Sequence, residues 1–368
     1  MKWKQVFIFI FLVSLFPIGT YFYFQNRYQQ IVVIKNQKVS ISPTATPTPD
    51  PNRDFSILLL GYAGANHDGG FLTDSIILAR VSPKLEKIDL ISLPRDLWVE
   101  IPVSTSSGLS AKLNYAYAVG ISDKKFPDKA IEFTGKAGGG EMSKFVVSKI
   151  TGIIPDYFFA LDFTAFTKVV DQLGGLDIQI TNTFDDEFYP LEIGTTDLCG
   201  KSEEEIIAIT ATMSGDKLDQ QFSCRYEHLH FDKGLVHMDG TTALKFARSR
   251  HSKTDGGDFN RSQRQRQVLE AVKEKIISLN FFSKIIPIIT TLSYHLTTDM
   301  DVKTMESLLV RSQEFSNYKI YSLAITDKNF LKMGTSSNRQ SILIPQLGEG
   351  NFTDIQNFIK NSDLGSTN

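Results

Sequence analysis

Four arginines flank one short turn late in the chain. Arg248 and Arg250 end the segment ALKFARSR (243–250), and Arg261 and Arg264 follow in DFNRSQRQRQVLEAVKEKIISL (258–279). Projected at 100° per residue, Val268, Leu269, Val272, Ile276 and Leu279 form one apolar stripe of the second segment. The amino-terminal continuation of that stripe is Arg261, Arg264 and Gln265. Inward-facing charge is costly unless it is paired. Two readings follow. In one, the start of the helix reaches the surface and the arginine stems snorkel outward. In the other, Arg248, Arg250, Arg261, Arg264 and Gln265 wall a polar pocket for an anion, assisted by the amino terminus of the helix. Phosphate is the favoured anion, because the guanidinium fork contacts its oxygens bidentately. Asp258 is a good N-cap for the second helix, and that role stands beside any role in the pocket.

A second set of polar residues falls at expected strand ends. The loop GYAGANHDGGFLTD (61–74) is glycine-rich and can bring backbone N–H groups close to a ligand. It is not a P-loop, since no Gly-Lys-Ser/Thr follows. Asp74 opens the next strand and is a hard oxygen donor for a cation. Leu93-Pro94-Arg95-Asp96 ends another strand with a charged pair, for which a local salt bridge is the plain alternative to a ligand-facing role. KLNYAY (112–117) adds polar groups at a loop-to-helix junction. The six histidines form no HExxH pattern; His228 and His230 share one face of a possible strand, but two ligands do not make a zinc site. No Gly-x-Ser-x-Gly elbow is present, which argues against a serine hydrolase of the usual α/β type. The two cysteines, Cys199 and Cys224, form no CxxC pair, which excludes a disulfide-rich scaffold or a structural zinc site.

The elements that would position these residues alternate in type. Strands are expected at Phe55–Leu60, Ser75–Val81, Lys87–Leu93, Tyr157–Phe163 and Leu176–Ile180. Lys87–Leu93 is partly apolar on both faces, as in a sheet covered on both sides. Helices are expected at Glu141–Ile150, Thr164–Leu173 (stopped by Gly174-Gly175), Asp239–Arg248 and from Asp258 to about Leu279. Two more helices are expected near Ser283–Leu292 and Val302–Gln313, then a last strand at Tyr318–Ile325. Gly200–Arg225 has no clear period and reads as a long surface insertion. Alternating strands and helices give an α/β domain.

Composition narrows the class. Apolar residues are 42% and charged residues 22%, ordinary for a globular protein, so full-length disorder is excluded. The net charge of −2 argues against a protein that coats nucleic acid. One long uncharged apolar run exists, Gln5–Phe24, and it is long enough to span a bilayer as a helix. Lys2 and Lys4 precede it, so the start is expected in the cytoplasm and the body outside. A cleaved signal peptide is the alternative, but Tyr-Phe-Tyr-Phe-Gln-Asn is a poor cleavage site. ISPTATPTPDPNR (41–53) is an extended spacer. The expected organisation is a cytoplasmic tail (1–4), a transmembrane anchor (5–24), a Pro/Thr-rich linker (25–54) and an α/β domain (55–365). Outside the cytoplasm a Cys199–Cys224 disulfide is permitted, with two unpaired thiols as the alternative.

The segments together resemble the LytR–CpsA–Psr family of bacterial cell-wall glycopolymer ligases. The matching pieces are ILLLG (57–61), LTDSIILARVSP (72–83), SLPRDLWVEIP (92–102), KLNYAYAVG (112–120), DYFFALDFTAFTKVVDQLGGLDIQI (156–180), MDGTTALKFARSR (238–250) and DFNRSQRQRQVL (258–269). They occur in family order and span most of the chain. The resemblance implies a three-layer α/β/α fold around a central mixed sheet, outside the cell membrane on one anchor. It also implies a reaction: a glycopolymer with one phosphate passes from a polyprenyl-pyrophosphate carrier to a peptidoglycan hydroxyl. By the family pattern Arg248, Arg250, Asp258, Arg261 and Gln265 are pocket residues, joined by Arg95 and Arg264. Asp96 supports Arg95, and Asp74 holds Mg2+. Asp74, Arg95, Asp96 and Arg248 are the expected catalytic set, with Asp74 and Asp96 both candidates for the base. The partners implied are the lipid-linked glycopolymer, peptidoglycan and the membrane, with no nucleic acid.

One position departs from the pattern. Most members carry an aspartate two residues after the glycine that ends the first strand, and here that position is Ala63. Either Asp68 or His67 folds back to replace it, or Asp74 and phosphate oxygens hold magnesium alone. A prenyl pyrophosphate phosphatase and a non-catalytic polyprenyl-phosphate binder are the rival readings.

Overall fold

The computed structural model describes residues 53–362 apart from 66–68, 192–196, 214–215, 253–255, 279–291, 293–294 and 312–316. The apolar run 5–24, most of the linker, His67, Asp68 and nearly all of the helix expected near 283–292 lie outside the described residues. Among the described residues no helix is long and apolar enough to cross a membrane.

The chain begins with strands β1 (Phe55–Tyr62), β2 (Thr73–Ser82), β3 (Lys87–Ser92), β4 (Trp98–Pro102) and β5 (Gly108–Lys112). Helices α1 (Tyr115–Ile121) and α2 (Gly138–Thr151), strand β6 (Tyr157–Asp162) and helix α3 (Phe163–Gln172) follow. Next come β7 (Leu176–Ile180), β8 (Phe184–Pro190), α4 (Glu203–Thr212), α5 (Asp216–Gln220), β9 (Tyr226–Phe231), β10 (Gly234–Met238), α6 (Gly240–Arg248) and α7 (Gly257–Ser278). The last elements are β11 (Leu296–Thr298), α8 (Val302–Val310), β12 (Lys319–Ala324), β13 (Leu331–Thr335), β14 (Ser341–Pro345) and α9 (Thr353–Asn361). They form two compact units. Of the described residues, one comprises those up to Gly64, Gly69–Ala165 and those from Ile277; the other is built on Phe166–Ile276.

The first unit is a mixed α/β structure around a six-stranded mixed sheet, ordered β11-β6-β1-β2-β3-β12. The β1/β6 and β3/β12 pairs are parallel; the other three pairs are antiparallel. β1 alternates buried and half-buried residues, whereas β2 and β3 are buried along most of their length, as strands inside a covered sheet are. Leu58, Leu60, Leu78 and Ile91 pack with Met142, Val146 and Ile150 of α2 and with Ile355 and Ile359 of α9. Helix α2 opens at Gly138, three residues before the expected start at Glu141. Its glycines disguise it in sequence, because glycine is a poor helix former. Packing requires them: a Cβ on Gly140 would lie 2.2 Å from the Phe158 ring, and one on Gly138 2.5 Å from the Gly120 carbonyl.

The second unit contains two antiparallel strand pairs, β7/β10 and β8/β9, with α4 to α7. Phe184, Phe231 and Phe246 pack ring against ring, with centroids 5.2–6.0 Å apart, and form its aromatic centre. Cys199 and Cys224 are joined by a disulfide, with Cα atoms 5.6 Å apart. Residues 200–225, expected as a long surface insertion with no clear period, contain regular structure. They hold α4, whose amino terminus is a capping box of Ser202 and Glu205, and the short α5. None of the α4 residues is buried, so no apolar stripe marks the helix in sequence.

Candidate functional site

The expected site residues gather into two groups, one in each unit. In the first unit Asp74, on β2, accepts a hydrogen bond from Arg95 Nη1. Arg95 Nε also lies 3.5 Å from Asp96 Oδ2. The local Arg95–Asp96 contact read from sequence is therefore present, but it is one link of a chain. Lys112 Nζ donates to Asp96 Oδ1 at 2.7 Å. Two cations and two carboxylates thus alternate: Asp74, Arg95, Asp96, Lys112. One residue holds the frame. The Asn114 carbonyl accepts from Thr73 N at 3.1 Å, and its N–H donates to the Arg95 carbonyl at 3.1 Å. KLNYAY thus does more than add polar groups: Lys112 joins the charge chain, and Asn114 ties the start of β2 to the loop carrying Arg95. All four charged side chains are between a fifth and a third exposed, open to a ligand yet fixed by their partners.

The loop carrying Ala63 lies beside a further pair that the sequence did not single out. Asp162, at the end of β6, accepts the Ala165 N–H at 2.8 Å, which caps the start of α3. Its other oxygen lies 2.6 Å from His295 Nδ1. A Cβ on Gly64 would be 3.5 Å from Asp162. The residues proposed to replace the missing aspartate, His67 and Asp68, lie outside the described residues.

In the second unit α6 and α7 bracket the arginine turn. The first turn of α6 is pinned: Asp239 accepts from Thr242 N at 2.7 Å, and Gly240 N donates to Asp171 Oδ1 at 2.7 Å. A Cβ on Gly240 would lie 2.2 Å from the Thr167 carbonyl, so the helix approaches α3 at a distance only glycine allows. The last turn of α6 then presents Arg248, whose Nη1 donates to the buried Tyr189 hydroxyl at 3.0 Å.

A carboxylate that the sequence reading missed organises the turn. Asp186 of β8 is fully buried. Its Oδ2 accepts from the Ser249 hydroxyl at 2.7 Å, from Arg250 N at 2.9 Å and from His251 N at 3.1 Å; its Oδ1 accepts from Phe188 N at 3.1 Å. Burial alone would raise the Asp186 pKa, but the Ser249 hydroxyl and these backbone N–H groups outweigh it and hold the pKa below the ordinary carboxylate value. The sequence signal was Asp185-Asp186 inside a short strand, where alternation must turn one of two adjacent acids inward.

Helix α7 begins at Gly257 rather than Asp258, so Asp258 lies inside its first turn; the Asp258 side chain is outside the described residues. A Cβ on Gly256 would lie 2.2 Å from the Ser252 carbonyl, which fixes a glycine in the turn. Arg261, Arg264, Val268 and Ala271 are all buried at i, i+3, i+7 and i+10, so the apolar stripe does continue into arginine. Arg264 is 2% exposed, which removes the snorkelling reading for it. It is also not an open pocket wall. Its Nη2 donates to the Ser249 carbonyl at 2.5 Å, and its guanidinium lies 4.9 Å from the centre of the Phe184 ring. Arg264 is a strut behind the turn. Arg248, Arg250 and Gln265 are half-buried, and Arg261 is 7% exposed. Residues 248–266 carry six cationic and two acidic side chains, so the turn is a strongly positive segment in a chain of near-zero net charge.

The fold matches solved structures. The crystal structure of Bacillus subtilis TagV aligns with a TM-score of 0.55 at 23% identity, covering 87% of this chain and all of that one. In sequence the chain is 28% identical over 325 residues to Biofilm regulatory protein A of Streptococcus mutans, covering 85% of this chain and 67% of that protein. It is 26% identical over 325 residues to the polyisoprenyl-teichoic acid–peptidoglycan teichoic acid transferase TagU of Bacillus mycoides, covering 86% and 85%. The LytR_cpsA_psr family model matches residues 20–346. The chain belongs to that family.

Proposed function

We propose that this protein is a phosphotransferase. It moves a glycopolymer, with one phosphate, from a polyprenyl-pyrophosphate carrier to a peptidoglycan hydroxyl. The observation that carries the proposal is the arginine turn held on Asp186. Phosphoryl transfer needs positioning and charge neutralisation more than covalent assistance, and a turn rich in fixed guanidinium groups supplies both. Relatives named as transferases of polyisoprenyl-linked teichoic acid to peptidoglycan support the same substrate class.

Within this proposal Arg248, Arg250, Arg261 and Gln265 bind the pyrophosphate oxygens. In the first unit Arg95, paired with Asp74 and Asp96, is the guanidinium of the charged group. Magnesium is part of the proposal, and the residues fit it. Asp74 has a partly exposed carboxylate whose counter-charge is the Arg95 guanidinium, and magnesium is commonly held by one or two carboxylates plus substrate phosphates. When bound, the ion would neutralise charge on the phosphate oxygens. Asp74 and Asp96 are the carboxylates of this group able to accept the proton of the attacking hydroxyl. A cavity of about 530 Å³ in the first unit, lined in part by Val99, Phe145, Val146, Ile150 and Phe352, offers apolar surface for a prenyl chain. The proposal includes an anchor at residues 5–24, an α/β/α body outside the cell membrane and no direct contact with nucleic acid.

The test supplies the purified full chain with lipid-linked glycopolymer, magnesium and peptidoglycan. Polymer joined covalently to the acceptor, with prenyl monophosphate released, is the expected result. Release of phosphorylated polymer into water, with and without acceptor, would instead identify a phosphatase.

A further inference from the structure

Strand β8 has a second charged face. Asp186 points inward to the arginine turn; its neighbour Asp185 points outward, as alternation along a strand requires. Asp185 is the register partner of His230 on β9, and His228 lies two residues away on the same face. The two rings converge on one atom. Asp185 Oδ1 lies 2.9 Å from His228 Nε2 and 2.7 Å from His230 Nδ1. The far nitrogen of His230, Nε2, lies 3.3 Å from Asp232 Oδ1. The four side chains are about half exposed or more, and the strands beneath them are fixed by buried Phe184, Leu229 and Phe231.

We propose that His228, His230 and Asp185 bind one transition-metal dication, with Zn2+ as the expected occupant and Asp232 orienting the His230 ring from its far nitrogen. Two imidazole nitrogens and a carboxylate oxygen are a zinc-type donor set, and imidazole selects zinc, copper or nickel over magnesium. The donors come from two paired strands; the two ring nitrogens flank Asp185 Oδ1, and rotation of the exposed side chains is what would bring all three onto one ion. Another pair in the same unit shows the difference. His237 Nδ1 lies 2.7 Å from Asp177 Oδ1, in the same cross-strand register. There the second carboxylate oxygen is taken by Lys275 at 3.2 Å, and among the described residues no second histidine joins it. That pair already has its cation; the Asp185 group has two metal-binding rings around one carboxylate. An ion on Asp185 would clamp β8 to β9 one residue from Asp186, and so brace the strand on which the arginine turn hangs. The proposal does not depend on the transferase reading.

The test titrates ZnCl2 into the purified full chain in excess MgCl2, with binding followed by calorimetry and Tm measured in parallel. One zinc ion per chain and a zinc-dependent rise in Tm are expected. His230→Ala, His228→Ala and Asp185→Asn should each weaken zinc binding by about tenfold or more. His237→Ala should leave it unchanged. All four residues are exposed, so the metal-free Tm should stay near that of the wild type. Absence of zinc binding, or an affinity and stoichiometry unchanged in the His228 and His230 variants, would overturn the proposal.

Discussion

The two charged groups solve opposite electrostatic problems. In the first unit Asp74, Arg95, Asp96 and Lys112 neutralise one another. In the second, the buried carboxylate Asp186 accepts from a hydroxyl and backbone N–H groups, while residues 248–266 carry six cationic side chains in sequence. The balanced group carries its own counter-charges. The second group is arranged by its scaffold, and its sequence carries more cationic than acidic side chains. The second group also divides internally: Arg264 is buried on Phe184 and the Ser249 carbonyl, whereas Arg248 and Arg250 are half-buried. Identical residue types fourteen and sixteen positions apart therefore differ in how deeply the scaffold encloses them.

Substitutions can break or sharpen that contrast. The largest effect is expected for Arg248→Ala: loss of a charge-stabilising donor should lower prenyl monophosphate release by about 10²–10³-fold. The lost bond to Tyr189 should cost only about 1 kcal/mol of stability, read by urea denaturation. Arg264→Leu should do the reverse. It leaves the Ser249 carbonyl without this donor and should destabilise by about 3 kcal/mol. A fully stable Arg264→Leu protein that fails only in pyrophosphate binding would erase the division between strut and ligand group.

Asp186→Asn comes next. It removes acceptor capacity under several N–H groups and should cost about 1–3 kcal/mol. The same carboxylate sets a pH dependence. Its folded pKa lies below the unfolded value of about 3.9, so its contribution is complete above that value and fades as pH falls through the lower folded pKa. Wild-type stability should therefore fall more steeply than that of Asp186→Asn below about pH 4. The smallest stability effect is expected at Asp74→Asn, where a partly exposed ion pair contributes at most about 1 kcal/mol. That variant should nonetheless lose any magnesium dependence of turnover, which a metal titration of the rate reads directly.

The same contrast explains what the sequence could disclose. Local periodicity located β1, β3 and β7, and the glycines and caps located α6 and α7 within one or two residues. The inward turn of Arg261 and Arg264 was visible as a stripe, because a helix projects its period onto sequence. Asp186 was not, because its partners lie more than sixty residues away and depend on which face of β8 is buried. The role of Arg264 was hidden for the same reason: a ring from β8 and a carbonyl beyond α6 distinguish a strut from a ligand group. The β8/β9 pairing that brings Asp185 to His228 and His230 is likewise long-range, so two histidines at i and i+2 carried little information alone.

The most direct test of the central claim measures prenyl monophosphate release from a short-chain prenyl pyrophosphate by the full chain. Wild type, Arg248→Ala and Arg264→Lys are compared in the presence of magnesium. Release by the wild type, its loss in a folded Arg248→Ala protein and its retention in Arg264→Lys are the expected results. Equal release by wild type and Arg248→Ala would contradict the account, because the surplus charge of the turn would then have no part in handling phosphate.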